Sequence, residues 1–361
     1  MIIGSISENL VNEKRVAVTP EIVKKYKSLG LDVYICKNYA SHLGIKDEDY
    51  ENEGAKTFTN DEVLSKSNII LQLNIPAEDH LSKLDKNQIL IGVLNTYLNE
   101  KKLKSLISRD VKCFSLELLP RITRAQSMDI LSSQANLAGY KAVIDSFAYF
   151  QKAIPMMMTA AGTISAAKVL VVGAGVAGLQ AIATAKRMGA IVFATDVRAA
   201  SKEQVEILGG KFLTVEGAEN LETESGYAKE ASEDFKKKQE ELLKETLKKI
   251  DIVICTALIP GKKAPVIITK DMIDVMQNGS VIYDLAAIQG GNSELTEVDQ
   301  IVDVEGVKIM GESNILNKLP VSASNLYAKN SFNFISNLYD KEKNAFEINL
   351  EDEIIKTTMV K

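Results

Sequence analysis

Residues 169–190, VLVVGAGVAGLQAIATAKRMGA, determine the fold of the chain. Four apolar residues that predict a buried strand run directly into Gly173, Gly175 and Gly178, and then into a helical pattern. The first glycine permits a tight turn, the second lets the backbone approach a phosphate, and the third lets the helix pack on the strand. The helix N-terminus at this turn favours negative charge. The stretch therefore predicts a dinucleotide-binding Rossmann domain from about residue 167 to about residue 310.

An acidic residue follows at the spacing that such a site uses. The next apolar run, AIVFAT, ends in Asp196. A carboxylate roughly 20 residues past the glycines accepts the ribose hydroxyls of NAD and repels the 2′-phosphate of NADP. Arg198 favours the opposite choice, because an arginine near the site accommodates the 2′-phosphate of NADP. The pattern favours NAD(H) and leaves a glycine-rich packing turn without a ligand as the alternative.

Two further strand ends are expected at the same edge of the sheet. The segment DIVIC from Asp251 runs into TALIPGKKAP, and SVIYD from Ser280 runs into LAAIQGGN. Ligands of open α/β sheets bind outside the carboxyl ends of the strands. We therefore expect Ala257, Leu258 and the residues after Asp284 to border the nicotinamide half of the ligand, with ordinary loop packing as the alternative.

The rest of the chain repeats this pattern of strands and helices. Apolar runs bounded by turn residues in the first 130 residues predict a parallel sheet. Long helical patterns at about 128–149 and 322–339 lead into the glycine-rich part and return from it. The sequence thus predicts an α/β protein of two Rossmann-like, doubly wound parallel-sheet domains joined by long helices, with the cofactor in a cleft between them. The predicted domains are 1–136, completed by about 322–361, and the NAD(H)-binding domain 137–321.

Composition excludes several classes of function. The net charge is −5 over 361 residues, with Lys scattered among Asp and Glu, so nucleic acid is not an expected partner. Cys36, Cys113 and Cys255 lack metal-ligand spacing and are interpreted as small buried apolar residues in a reducing compartment. No metal site is expected. Because the start lacks a secretory signal and no apolar run is long enough to span a bilayer, we expect no direct membrane insertion.

A highly charged segment lies at 222–249 and holds few apolar residues. Such a run usually indicates a solvated helix. The alternative is a mobile flap at 225–229 beside the cofactor.

The sequence offers no evident catalytic base. A dehydrogenase acting on an alcohol or an amine removes a proton as well as a hydride, and normally places His or Lys beside its substrate. The chain contains only His42 and His80, and neither lies in a motif. Hydride passage directly between two nicotinamide rings needs no proton transfer, because the cofactors carry the chemistry and the protein positions them.

A polar segment, RITRAQSMDILSSQAN at 121–136, provides groups for such positioning. Arg121, Gln126, Asp129 and Ser132 supply a cation, an amide, a carboxylate and a hydroxyl, enough to hold a carboxamide and a ribose. The alternative is a loop followed by a helix start, with Ser127 as the N-cap and Asp129 in the first turn.

These motifs carry a resemblance that covers nearly the whole chain. The sequence resembles the NAD(H)-binding alpha subunit, domain I, of the proton-translocating nicotinamide nucleotide transhydrogenases. The motifs are KRVAVTP from Lys14, RITRAQSMDILSSQANLAGY from Arg121, PMMMTAAGT from Pro155, VGAGVAGLQAIATAKRMGA from Val172, TDVRAASKEQVE from Thr195, GYAKE from Gly226 and TALIPGKKAP from Thr256.

The resemblance implies that hydride passes between NADH held here and NADP⁺ held on a partner subunit. It implies that Arg121, Gln126 and Asp129, helped by Ser132, hold the nicotinamide and its ribose, and that Tyr227 lies on a mobile loop that closes over the cofactor. The residues it places in contact with the cofactor are Gln126, Ser127, Met128, Asp129, Gly173, Gly175, Val176, Gly178, Asp196, Val197, Arg198, Gly226, Tyr227, Gln239 and Leu258.

The resemblance also implies partners and a location. We expect a homodimer that docks against the NADP(H)-binding domain of the beta subunit and against a membrane-spanning subunit, in which the proton moves. The chain would then be cytoplasmic and peripheral to the inner membrane. Either the membrane part is a separate subunit, or the sequence is an excised portion of a longer protein.

Two alternatives come from other classes of protein. Alanine dehydrogenase is a related family that shares Arg15 and the LIPG segment, but its catalytic Lys and His fall on Asn74 and Asn99 here. Neither Asn acts as a base at neutral pH, which disfavours amine oxidation. The second alternative is a non-catalytic NAD-sensing module, in which closure on the cofactor changes an interface.

Overall fold

The computed structural model describes residues 1–198, 200–215, 233–258 and 262–361. The chain divides into two compact units. Unit 1 comprises residues 1–134 and 316–361, and unit 2 comprises residues 135–315. The long helix at Ile130–Tyr149 crosses from the first unit into the second.

The strands form two large sheets and two short hairpins. They are, in chain order, β1 (Ile2–Ser5), β2 (Asp32–Cys36), β3 (Lys56–Phe58), β4 (Ile69–Asn74), β5 (Ile89–Val93), β6 (Lys112–Ser115), β7 (Met157–Thr159), β8 (Gly162–Ile164), β9 (Lys168–Val172), β10 (Ile191–Thr195), β11 (Lys211–Phe212), β12 (Ile252–Cys255), β13 (Val281–Asp284), β14 (Gln300–Val304), β15 (Val307–Gly311), β16 (Tyr339–Asp340) and β17 (Ala345–Phe346).

Helices connect most of these strands. They are, in chain order, α1 (Pro20–Ser28), α2 (Asp47–Asn52), α3 (Asn60–Lys66), α4 (Glu78–Leu81), α5 (Glu100–Ser108), α6 (Ile130–Tyr149), α7 (Val176–Arg187), α8 (Ser201–Ile207), α9 (Glu233–Leu247), α10 (Lys270–Ile273), α11 (Pro320–Leu338) and α12 (Glu353–Thr358).

Unit 1 contains a parallel sheet with the strand order β3-β2-β1-β4-β5-β6. Its strands bury apolar side chains on both faces, as parallel strands covered by helices must. Helix α1 begins at Pro20, directly after the extended Thr19, because proline fits the first helical position. Phe334 of α11 packs edge to face on Phe114 of β6, with ring centroids 5.8 Å apart. Helix α11, which follows unit 2 in the chain, therefore completes the core of unit 1.

Unit 2 contains a sheet with the strand order β11-β10-β9-β12-β13-β15-β14. Strand β9 pairs in parallel with β10 and β12, and the register sets Val172 opposite both Thr195 and Cys255. The carboxyl ends of these three strands are therefore level. The residues that follow them emerge side by side at one edge of the sheet, where open α/β sheets bind their ligands.

The predicted α/β class and Rossmann-like parallel sheets are confirmed, and one edge strand of unit 2 departs from the parallel direction. Strand β14 runs antiparallel to β15. Glu305 and Gly306 connect them with φ angles of 51° and 87°, the backbone that a two-residue hairpin requires. None of the helices in the described part of the chain is both long and apolar enough to cross a membrane.

Candidate functional site

The turn after β9 has the geometry that its glycines predict. Gly173 has a φ of +93°, and its N–H donates to the carbonyl of Thr195 at the end of β10. The hydroxyl of Thr256, the residue after β12, donates to the carbonyl of Gly173 at 2.8 Å. A side chain on Gly173 would meet this hydroxyl, with a Cβ 2.8 Å from its oxygen. Three strand ends thus fix the conformation of the turn.

The other two glycines have opposite surroundings. A Cβ on Gly178 would overlap the carbonyl oxygen of Gly173, so this glycine permits helix α7 to pack against the turn. A Cβ on Gly175 would meet no heavy atom within 4 Å. Gly175 precedes the first residue of α7, Val176, which is 41% exposed. The turn therefore leaves open space at the N-terminus of a twelve-residue helix, where an anion is stabilised by the N–H groups and the helix dipole.

Asp196 lies at the end of β10, beside this turn. One carboxylate oxygen accepts the backbone N–H of Ala174 at 2.7 Å, and the other accepts the backbone N–H of Arg198 at 2.9 Å. The guanidinium of Arg198 donates to both oxygens, through Nε at 2.9 Å and Nη2 at 2.8 Å. Burial raises the pKa of Asp196, but the hydrogen bonds and the charge of Arg198 outweigh it and hold the pKa below its ordinary value. Asp196 is therefore a buried, ionised acceptor at the turn.

The remaining predicted contacts of unit 2 are spread over several segments. Val197 is half-buried next to Asp196, Leu258 is 42% exposed shortly after β12, and Gln239 is half-buried on α9. The predicted Gly226 and Tyr227, and with them the proposed flap at 225–229, lie outside the described residues.

The polar segment predicted in unit 1 begins as a short 3₁₀ helix at Thr123–Met128 and continues into α6. The alternative of a helix start with Ser127 as the N-cap does not match the structure, because α6 begins at Ile130 and Asp129 directly precedes it. Asp129 accepts the backbone N–H of Ser132 at 2.9 Å and its hydroxyl at 2.6 Å. The structure therefore joins two of the four predicted positioning residues in one capping interaction.

The C-terminal helices hold this segment in place. The carbonyl of Ser127 accepts the side-chain amides of Asn330 and Asn333 on α11, at 2.8 and 2.9 Å. Arg124 forms a forked ion pair with Asp352, the residue before α12. Among the predicted contact residues, Met128 is buried in the core of unit 1, whereas Arg121, Gln126 and Ser127 are exposed. The segment is thus an anchored turn that presents polar side chains.

The sequence did not predict the structural roles of two groups of polar residues. Asn292 accepts the N–H of Ala257 at 2.9 Å and donates to the carbonyls of Ala257 and Pro265, at 2.8 and 2.9 Å. Asp284, buried at the end of β13, accepts the backbone N–H of Asn292 at 2.7 Å. The sequence signal was the GGN that follows SVIYD, since a buried amide after a strand end is suited to holding a loop.

A second group lies in unit 1 and brings two carboxylates together. Glu8 accepts the backbone N–H groups of Leu73 and Asn74, and the side-chain amide of Asn74 donates to both Glu8 and Glu13. Arg15 binds Glu13 through Nε at 2.8 Å and Nη2 at 2.6 Å. Burial raises the pKa of Glu8 to about 7. Burial acts on Glu13 in the same direction, but Arg15 holds its pKa below the ordinary value.

The histidines and cysteines add no further site within the described residues. His42 is exposed and its Nε2 lies 2.8 Å from the carbonyl oxygen of Lys14. The interpretation of the three cysteines as buried residues is confirmed, since all are free and buried. The described part of the chain contains no group of three or more His, Cys, Asp or Glu that could hold a metal ion.

The chain matches two family models that together cover almost all of it. Residues 4–138 match the model of the alanine dehydrogenase/PNT N-terminal domain, and residues 142–361 match that of the alanine dehydrogenase/PNT C-terminal domain. The division between the two matches falls inside α6.

Individual relatives are similar over the same length. The chain is 48% identical to the first part of NAD(P) transhydrogenase subunit alpha of Rhodospirillum rubrum, over 98% of this chain and 94% of the relative. The crystal structure of transhydrogenase from Sinorhizobium meliloti is 44% identical, covers 99% of this chain and 98% of its own, and superposes with a TM-score of 0.90. Alanine dehydrogenase 1 of Staphylococcus aureus is more distant, with 28% identity over 94% of this chain and 88% of the relative. The chain therefore belongs to the alanine dehydrogenase/PNT family, among the NAD(P) transhydrogenase alpha subunits.

Proposed function

We propose that unit 2 binds NAD(H) with the pyrophosphate over the turn at Gly173–Gly178 and the adenosine ribose on Asp196. The observation that carries this proposal is the open space at Gly175, which faces the N-terminus of α7 while a buried carboxylate ends the neighbouring strand. A phosphate binds in open space at a helix N-terminus, and a ribose diol donates hydrogen bonds to a carboxylate. The names of the transhydrogenase relatives support the same ligand.

We further propose that the anchored turn of unit 1 positions the nicotinamide end. Gln126 and Arg121 are exposed donors, and Asp129 with Ser132 offers a carboxylate and a hydroxyl. Precise placement requires a rigid support, which the hydrogen bonds from Asn330 and the capping of α6 supply. In this proposal Ser127 and Met128 contribute the backbone of the turn, and Val176, Val197, Arg198, Gly226, Tyr227, Gln239 and Leu258 complete the contacts in unit 2.

The proposed reaction is hydride passage between NADH bound here and NADP⁺ held by a partner domain. Bound NAD(H) supplies the hydride chemistry, and the residues of this chain bind and orient it. No proton has to be removed from a substrate, which agrees with the absence of an evident base in the sequence. Coupling to proton translocation would take place in the partner membrane subunits.

Alanine dehydrogenase activity is the second candidate, because a family member of that name is similar over most of the chain. The residues at the two positions of the catalytic base and acid argue against alanine dehydrogenase activity. Asn74 bridges Glu8 and Glu13, and Asn99 donates to the carbonyl of Leu94 at 2.9 Å. These amides make structural hydrogen bonds and can act neither as a base nor as an acid at neutral pH.

The proposed assembly is a homodimer bound to the NADP(H)-binding domain of the beta subunit and to a membrane-spanning subunit. The Rhodospirillum rubrum relative is named as a portion of an alpha subunit, which supports the existence of partner subunits. The hairpin of β7 and β8 supports self-association, because it exposes apolar side chains at Met157 (44%), Met158 (80%) and Ile164 (44%). The proposed location is cytoplasmic, at the inner membrane surface.

The experiment that tests this function mixes the NADH-loaded chain with an NADP⁺-loaded partner domain in a stopped-flow spectrometer. We expect hydride transfer that requires both proteins and both nucleotides. NADH binding without any transfer would instead support the NAD-sensing module, and NADH formation from alanine and NAD⁺ would support the dehydrogenase.

A further inference from the structure

The carboxylate of Asp196 has no acceptor position left for a ligand. A carboxylate offers about four lone-pair directions, two on each oxygen. Four donors fill them: the backbone N–H of Ala174 and Nη2 of Arg198 on one oxygen, and the backbone N–H and Nε of Arg198 on the other. A ribose diol needs two of these positions. A ligand that binds Asp196 must therefore displace two of the present donors.

Only one pair of donors can leave. The two backbone N–H groups are fixed, because Ala174 belongs to the glycine turn and Arg198 follows Asp196 by two residues. The guanidinium fork is carried by a side chain that can rotate away. Its two N–H groups approach both oxygens of the carboxylate, as the two hydroxyls of a ribose diol would.

We propose that the guanidinium of Arg198 is a displaceable latch, which in the free protein occupies the position on Asp196 that the ribose would take. Its release sets both the affinity for NADH and the selectivity against NADPH. This inference rests on the proposed function, since it assumes that NAD(H) binds at Asp196. It adds a competitor to that site, whereas an arginine beside the site would ordinarily be expected only to attract a phosphate.

The burial of Asp196 and Arg198 explains why the two side chains pair in the free protein. The side chains of Asp196 and Arg198 are 6% and 18% exposed, so the carboxylate needs a partner when no ligand is bound. Arg198 supplies that partner and keeps the carboxylate ionised and oriented. Each NADH molecule must then exchange two charge-assisted hydrogen bonds of the fork for two from its ribose, which lowers its net affinity.

The released guanidinium also affects selectivity. A 2′-phosphate removes one ribose donor and brings negative charge towards Asp196. The displaced side chain of Arg198 remains tethered two residues away and offers that phosphate a counter-charge. Arg198 thus weakens the exclusion of NADPH that Asp196 alone would impose.

Two variants separate the fork from the charge. Arg198→Gln removes both, and we expect NADH to bind about threefold to tenfold more tightly, while the ratio of NADPH to NADH dissociation constants widens by about tenfold. Arg198→Lys keeps the charge without the fork, so NADH should also bind more tightly, but the selectivity ratio should stay close to that of the wild type. Arg187→Gln, an exposed change in the last turn of α7, is the matched control and should alter neither quantity.

The measurements are fluorescence titrations of the full chain with NADH and NADPH, with thermal melting to verify folding. In an Asp196→Asn background, Arg198→Gln should no longer tighten NADH binding. Weaker or unchanged NADH binding in both single variants overturns the latch, and so does tighter binding that persists in the Asp196→Asn background. A wild-type chain that binds no NADH contradicts the proposed function itself, and so is distinguishable from failure of the latch.

Discussion

The two large sheets begin with the same strand order, 3-2-1-4-5 when the strands of each sheet are counted in chain order, yet their central turns are built differently. In unit 2, strand β9 is followed by residues 173–175 and then at once by helix α7. In unit 1, strand β1 is followed by residues 6–19 before α1 begins, and these residues include Glu8, Glu13 and Arg15. The turn of unit 2 leaves its backbone open, whereas the turn of unit 1 fills the equivalent sheet edge with charged side chains.

The turn of unit 1 already places a carboxylate at the sheet edge. The carboxylate of Glu8 accepts the backbone N–H groups of Leu73 and Asn74, so these donors are already occupied. In unit 2 the backbone at Gly175 faces open space. Topology thus provides two equivalent edges, and the residues of the turn decide which of them can bind a dinucleotide.

The largest change that we expect separates binding in unit 2 from positioning in unit 1. Gln126→Asn shortens an exposed side chain by one methylene, and should lower the rate of hydride transfer by about a hundredfold through a shift of roughly 1 Å in the reacting atoms. NADH affinity should remain nearly unchanged, because the contacts in unit 2 are intact. Stopped-flow transfer and a separate NADH titration measure the two quantities, with the exposed Gln151→Asn as control. Unchanged transfer, or a loss explained wholly by weaker binding, would refute the positioning role.

The glycines of the open turn provide the next test. Gly175→Ala adds a Cβ into empty space, so the melting temperature should hold while NADH affinity falls by about tenfold to a hundredfold, since the methyl group crowds the phosphate. Gly178→Ala places its Cβ on the carbonyl oxygen of Gly173, and should lower both stability and affinity. Calorimetric scans and NADH titrations distinguish the two. An unaltered affinity in Gly175→Ala would move the phosphate away from this turn.

The acidic residue of unit 2 should have a smaller effect on binding and a distinct effect on selectivity. Asp196→Ala removes the hydrogen bonds to the ribose together with the Arg198 fork that NADH has to displace, so we expect NADH affinity to fall by only about threefold to tenfold. The preference for NADH over NADPH should weaken at the same time. Fluorescence titration with both nucleotides measures this, and exposed Asp271→Ala is the control. A wild-type chain that binds NADPH as tightly as NADH would overturn the assignment of Asp196.

The filled turn of unit 1 should be detected as a pH dependence of stability. The pKa of Glu8 is raised to about 7 in the folded chain from an ordinary 4.5, so the folded state binds more protons between these values. Glu8 therefore makes the free energy of unfolding decrease as pH rises from about 4.5 to 7. Glu8→Gln should remove about 1 to 2 kcal/mol of this decrease. Urea unfolding at pH 5 and pH 8 measures it, with exposed Glu78→Gln as control, and an unchanged slope would refute the role of Glu8.

The smallest effect is expected for the oxidation of alanine, an activity that the chain should lack. The purified chain should not reduce NAD⁺ with alanine, because the amides of Asn74 and Asn99 can serve neither as the base nor as the acid. Installing Lys at position 74 and His at position 99 need not create the activity, because Glu13 already pairs with Arg15 in that region. Absorbance at the NADH band over a long incubation measures this. Sustained NADH production by the wild type would move the assignment to the alanine dehydrogenases.

The sequence predicted those parts of the fold that are encoded locally. The glycine turn, Asp196 at the end of the next strand, and the two long helices follow from short-range patterns of apolar residues, glycine and caps. The antiparallel β14 was missed because its hairpin depends on two positive φ angles in a Glu-Gly pair, which is not among the common turn signals. The alternative placed Asp129 in the first turn of α6, since Ser127 is an equally good cap by residue type.

Contacts between distant residues could not be predicted. Nothing local indicates that Asn330 would hold Ser127, that Thr256 would lock Gly173, or that Asn292 would support Ala257. The same holds for Glu8, which becomes a buried acceptor only when strand β4 is paired with β1. Sequence therefore predicts candidate residues for the site, and tertiary pairing decides how each of them is held.

Hydrogen–deuterium exchange of the full chain with and without NADH compares the two turns in a single measurement. We expect NADH to slow exchange at residues 174–178 and at Arg198 in unit 2, and also at residues 126–129 of the anchored turn. The amides of Leu73 and Asn74 in unit 1 should be unaffected, because Glu8 already occupies them. Protection at Leu73 and Asn74, or its absence at residues 174–178, would contradict the claim that only the open turn binds the dinucleotide.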